Sequence, residues 1–130
     1  MTAPKTVFIA AISSDIGGRL AELYLDAGYR VIGTFRQRQH VRHLEKRADV
    51  HLIHCDIGND RDLEAVSSYF SESGFVWDHF ISAVGLLSPI GKFTEVSCND
   101  WKKSVTVNSL QQLGLLHCLA PFRRPEEVAK

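Results

Sequence analysis

The sequence predicts an α/β fold: an open parallel sheet of about four strands in the order 3-2-1-4, with helices on both faces. Two observations predict it. Short apolar runs alternate along the chain with stretches of helical periodicity. The apolar runs are near-continuous rather than alternating, as strands buried on both faces require. Right-handed crossovers then leave few layouts, and the commonest opens a ligand crevice between strands 1 and 4.

The elements follow in order. Thr6 to Ala11 is a first strand rich in β-formers. Ile16, Leu20, Leu23, Tyr24 and Ala27 recur at helical spacing, and Gly28 closes that helix from the C′ position. Tyr29 to Phe35 is a second strand, and the basic stretch Arg36 to Arg47 includes a short helix over Val41 and Leu44. Val50 to Cys55 is a third strand; Asp60 to Ser73 is a helix with Leu63, Val66 and Phe70 on one face. Asp78 to Val84 is a fourth strand, and a long helix is expected from Asn99 or Asp100, both good caps, to about Ala120 before Pro121.

A chain of 130 residues and 14.6 kDa accommodates one domain, expected over residues 1–121 with a tail at 122–130. Hydrophobic residues make up 45% and charged residues 23%, which excludes a disordered chain. Lys+Arg and Asp+Glu both count 15, so no sequence-wide cationic field gathers nucleic acid or anionic lipid, and neither partner is expected. No apolar run approaches the ~20 residues needed to span a bilayer, and Met1 to Lys5 lead into only a short apolar segment. Cys55, Cys98 and Cys118 are odd in number and widely spaced, unlike a disulfide framework. A reduced, cytoplasmic protein is the expectation.

The turn after strand 1, Ala10-Ala11-Ile12-Ser13-Ser14-Asp15-Ile16-Gly17-Gly18, stands where a dinucleotide phosphate loop belongs, between a buried strand and an amphipathic helix. Ser13 and Ser14 offer hydroxyls to phosphate, and Gly17 permits close helix–strand packing. Alternatively, Ser14 or Asp15 simply caps the first helix.

This segment resembles the loop Thr-Gly-x-x-x-Gly-Ile-Gly of the short-chain dehydrogenase/reductase family. Ala11 and Asp15 replace two of its glycines, while Ser13-Ser14 and Ile16-Gly17 keep its Ser-Ser-x-Ile-Gly form. The Ala11 methyl narrows the approach to phosphate, and the Asp15 carboxylate competes for its N–H donors.

Other segments are similar to the family in order and spacing over about residues 5 to 120. Together they imply a Rossmann-like NAD(P)-binding fold. Thr34-Phe35-Arg36 resembles members using NADP, where a basic residue meets the 2′-phosphate and no acid stands at the Thr34 position; Arg38 is close enough to assist. The competing reading of this stretch is a solvated basic face.

Asp56-Ile57 is similar to the pair that holds adenine, or else forms a capped turn. Asp78 to Gly85 is similar to a segment ending Asn-Asn-Ala-Gly; Ser82 and Ala83 replace both asparagines, and Gly85 remains. Asp100-Trp101 with Val107-Asn108 is similar to the family's Asp-Trp…Val-Asn pattern. That pattern implies that Asn108 is the Asn of the catalytic tetrad, against a purely structural hydrogen bond within the helix.

The family's chemistry needs a Tyr activated by a Lys four residues on. Four residues after Tyr24, Tyr29 and Tyr69 stand Gly28, Gly33 and Ser73, and the family's catalytic Ser, Tyr and Lys and its later strands have no counterpart. The resemblance therefore implies a half-domain that binds NADP rather than NAD, or no cofactor, and lacks activity on its own. The alternatives are an NADP-dependent oxidoreductase of a carbonyl or alcohol, as a fragment or completed by another chain, and an interaction module that has lost its ligand. Arg123 to Ala129 resembles a segment near the end of full-length members, by internal deletion or by chance.

In strand 3, His51 and Cys55 share one face and His54 takes the other, so a common metal site is not expected. Strand 4 is expected to expose an apolar edge through Phe80, Ile81 and Val84. The long helix is apolar on more than one face, through Trp101, Val105, Val107, Leu110, Leu113, Leu115, Leu116 and Leu119. A homo-oligomer through the helix at about 99–120, the edge at 78–84, or both is expected.

Overall fold

A computed structural model of the chain describes residues 4–85 and 89–126. Four parallel strands, β1 (Thr6–Ala10), β2 (Arg30–Phe35), β3 (Val50–His54) and β4 (His79–Ser82), form one sheet in the order β3-β2-β1-β4. This is the order expected from the apolar runs and the crossover rule. Phe8 stands opposite Ile32 on one side and Phe80 on the other, so β1 is the sheet's axis.

Alternation along β1 divides the core between the two faces. Val7 and Ile9 pack with Ile12, Ala21, Leu25, Val31 and Leu44, under α1 (Asp15–Asp26) and α2 (Arg42–Glu45). Phe8 and Ala10 pack with Ile32, Val66, Phe70, Trp77, Leu115 and Leu119, under α3 (Asp60–Ser73) and α5 (Gln111–Leu119). Val41 and Leu44, expected to anchor a short helix, are both buried. Ser14 caps α1 by accepting the Gly17 N–H, and Asn59 caps α3 by accepting from Arg61 and Asp62. Gly28, at φ 86°, ends α1 in the left-handed conformation that glycine adopts without penalty.

The last helical region differs from the expectation in two ways. Its cap is Ser97, whose Oγ accepts the Asp100 N–H at 3.2 Å, so α4 (Cys98–Val105) starts before Asn99. The hydroxyl stands three residues before that N–H, the spacing a cap requires. The helix is also interrupted. A π turn, Thr106–Leu110, separates α4 from α5, and Gln111 N–H there donates to Thr106 O.

After α5 the chain returns to the sheet. Trp77 N–H donates to Phe122 O at 3.0 Å, Arg124 N–H donates to Trp77 O at 2.8 Å, and the Trp77 indole donates to Leu119 O at 2.8 Å. Arg124 pairs with Asp78 at 2.7 Å, and the second Asp78 oxygen accepts the Thr6 N–H. Phe122 to Arg124 thus cover the start of the β4 edge, a contact the apolar pattern did not announce. The end of the Arg123–Ala129 segment lies outside the described residues.

Candidate functional site

The C-terminal ends of all four strands meet at one cavity of about 650 Å³. Ala11, Ser13 and Ser14 line it from the β1–α1 turn, Thr34 to Arg36 from β2, Cys55 to Asp60 after β3, and Ala83 to Gly85 after β4. Lys103 and Val107 close it from the last helical region. Among the expected site residues, Ser13, Ser14, Thr34, Arg36, Asp56, Ile57, Ala83 and Gly85 therefore share one wall system, whereas Asp15, Ile16, Gly17, Ser82 and Asn108 do not line it.

The turn is built by hydrogen bonds rather than by glycine alone. Ala11 adopts φ 61°, a left-handed conformation that an L residue avoids by ~1–2 kcal/mol. Its N–H donates to Thr34 Oγ1 at 2.9 Å, and its C=O accepts both Ser14 N–H and Ser14 Oγ–H. Ser14 is therefore the helix cap, and its hydroxyl proton is already committed to Ala11. Thr34 is a brace for the turn. A Cβ on Gly17 would lie 2.3 Å from Ala11 O, so α1 packs against the turn as closely as a phosphate loop demands. Asp15 and Ile16 lie exposed in the first turn of α1, and among the described residues their N–H groups have no acceptor.

The cavity wall carries charges of both signs. Arg36 is exposed and has no ion-pair partner among the described residues, whereas Arg38 pairs with Glu45 at 3.5 Å and lies near the Phe35 ring instead of the cavity. Asp56 Oδ1 accepts the Gly58 N–H at 3.0 Å, and Asp56 N–H donates to Asp62 at 2.8 Å, which fixes the turn after β3. Burial first, then Asp62 and Asp56, push the Cys55 thiol up to about 12, which disfavours the thiolate. No tyrosine lines the cavity. Tyr24 and Tyr29 meet His79 edge-to-face, and Tyr69 packs on Phe70 and Phe75.

Asn108 is exposed in the π turn and donates to Ser104 Oγ at 3.2 Å. Ser82 Oγ donates to Gln112 Oε1 at 2.6 Å, so a helix amide meets the strand that has lost both asparagines. Gln111 Nε2 donates to Ile57 O at 2.7 Å and to Asp60 at 3.1 Å, joining α5 to the turn after β3. His51 and His54 pack on Phe75 and Phe35 respectively, and burial, followed by the Arg30 charge, lowers the His51 pKa. No metal-binding cluster occurs among the described residues.

A family model described as enoyl-(acyl carrier protein) reductase matches residues 10–127. The chain belongs to the short-chain dehydrogenase/reductase family. A short-chain dehydrogenase from Streptomyces avermitilis superposes with a TM-score of 0.83 at 21% identity, over 94% of this chain and 45% of that one. One from Leptospira borgpetersenii with bound NAD+ gives 0.79 at 24% identity, over 89% and 44%. ElxO with NADPH bound gives 0.75 at 20%, over 89% and 49%. The chain thus spans about half the length of these structures.

The family's dinucleotide cofactor suits several features of the cavity: the close-packed α1 start, the cationic Arg36 end, and the apolar Ile57, Ala83 and Val107 surfaces. Gly58 to Asp60 and Lys103 complete that wall without having been singled out as site residues in the sequence, and Val107, noted there only beside Asn108 and as an apolar helix position, joins them. Their signal was faint, since a lysine and a valine four residues apart on a helix also describe an ordinary amphipathic surface.

Proposed function

We propose that this short-chain dehydrogenase/reductase chain binds NADP in preference to NAD and carries no oxidoreductase activity by itself. The supporting observation is the single cavity that gathers the ends of β1, β2, β3 and β4. Arg36, with no ion pair among the described residues, would meet the 2′-phosphate, and Asp56 and Ile57 would flank the adenosine end. The Ser13–Gly17 turn would face the pyrophosphate.

A bound nicotinamide cofactor supplies hydride transfer; the side chains here bind and orient it. The proposed lack of activity is supported by the given sequence, in which no Tyr stands four residues before a Lys. A cytoplasmic setting accords with three cysteines outside any disulfide.

A second reading is an oxidoreductase completed by another copy or chain. It is favoured by the exposure of Val105, Leu110 and Leu113, at 58%, 59% and 65%, on the last helical region. Self-association through that face belongs to the same proposal, and sedimentation of the purified chain tests it.

Titrating NADPH and NADH against the chain, with Trp77 and Trp101 as fluorophores, tests the binding. Saturation by NADPH at lower concentration than by NADH is expected, with the gap lost in Arg36→Ala. No saturable signal at millimolar cofactor overturns the reading. Carbonyl-dependent NADPH oxidation by the chain alone overturns the non-catalytic half.

A further inference from the structure

Two cavity walls are held together from behind by one side chain. Gln112 Nε2 lies 3.2 Å from Val84 O, 3.3 Å from Val107 O and 3.1 Å from Asn108 O, while its Oε1 accepts the Ser82 hydroxyl at 2.6 Å. Three carbonyl oxygens can only accept, so the amide nitrogen must face them, and the orientation of the group is fixed by its partners. Val84 and Val107 both line the cavity, whereas Gln112 does not.

The contacts lie at the π turn, where Gln111 N–H reaches back five residues to Thr106 O. On the strand side Ala83 offers no polar side chain, and the Ser82 hydroxyl donates to Gln112 Oε1.

We propose that Gln112 is a positioning residue for the cavity: it braces Val84 at the end of β4 against Val107 in the π turn. Its effect on ligand affinity rests on the cofactor reading above; its effect on the wall does not. The amide acts through two carbonyls in the walls and touches no ligand. Ser82 anchors it from the strand side.

The experiment combines cofactor affinity with hydrogen exchange of the Ala83–Gly85 amides, in the chain and in the variants Gln112→Leu, Gln112→Glu and Ser82→Ala. Gln112→Leu is expected to weaken NADPH binding about tenfold, and Ser82→Ala, which removes one exposed contact, about threefold.

Gln112→Glu adds a readout that bulk stability would not move. At neutral pH its carboxylate faces three carbonyl oxygens. At about pH 5 a protonated fraction regains an O–H donor, so the ratio of variant to wild-type affinity should recover as pH falls. NADPH affinities within about twofold of wild type in both Gln112 variants at pH 7 overturn the effect on the ligand.

If the unaltered chain binds no cofactor, the cofactor reading fails, and exchange in the free protein decides the brace. Faster exchange at Ala83–Gly85 in Ser82→Ala or Gln112→Leu supports it. Unchanged exchange in both overturns it.

Discussion

Strands β1 and β4 lie side by side in the sheet, yet their surroundings are opposite. Every residue of β1 is buried, and α1, β2 and β4 enclose it. No residue of β4 is buried, and neither is any residue of α4. The difference teaches where each task resides. The β3-β2-β1 side supplies the packed scaffold; the β4 side, with the last helical region, supplies wall and contact surface, and hangs on a few anchors such as Trp77, Leu115, Leu119 and Gln112.

The largest expected effect tests the scaffold. Phe8 is fully buried and touches the Phe70 and Phe80 rings at centroid distances of 5.8 and 5.2 Å. Phe8→Ala should lower unfolding free energy by ~3–5 kcal/mol in a denaturant titration; a loss under ~1 kcal/mol would erase the asymmetry. Next comes Gly17→Ala, whose methyl collides with Ala11 O. A loss of ~1–3 kcal/mol is expected, with cofactor binding weakened alongside.

Trp77→Phe keeps most of the packing and removes the indole bond to Leu119 O. About 1 kcal/mol should go, and exchange should quicken at the amides of residues 122–124, with the β1 amides unchanged.

Acid sharpens the same contrast. Burial alone would raise the Asp78 carboxyl, but the Arg124 and Thr6 hydrogen bonds and the Arg124 charge outweigh it and hold the group below its ordinary value of 3.8. Its stabilisation is present above that value and is lost as pH falls through the lower folded value. Acid unfolding of Asp78→Asn should therefore be less steep below about pH 4. The smallest effect on stability belongs to Leu113→Ser, within ~0.5 kcal/mol. Any self-association through that exposed face should nevertheless weaken in sedimentation.

The strands were readable because a parallel strand buried on both sides writes its burial as an apolar run, as Val7 to Ala10 and Val31 to Phe35 do. The helix from Asp60 was equally plain, although its Asn59 cap was not singled out. The sequence pointed to Asn99 or Asp100 as the cap of the last helix and passed over Ser97, whose hydroxyl geometry makes it the cap.

The π turn left no mark in the sequence, since Thr106 to Leu110 also suits an ordinary helix. Gln111 and Gln112 carried no signal in the sequence, because their partners lie many residues away in the chain. Arg36 and Asp56 were singled out by resemblance to the family's strand-end segments, and the sheet brings both to one cavity.

Ala11 carries a consequence for how the first turn meets a guest. A backbone kept in an uphill torsion relaxes wherever its neighbours let go, so Thr34 and Ser14 must grip it continuously. The bend is therefore complete before anything arrives. An anion docking there, as the proposed function requires, would spend little of its affinity on ordering the loop, and swapping Ala11 for glycine would release tension at the risk of making a stiff cradle slack.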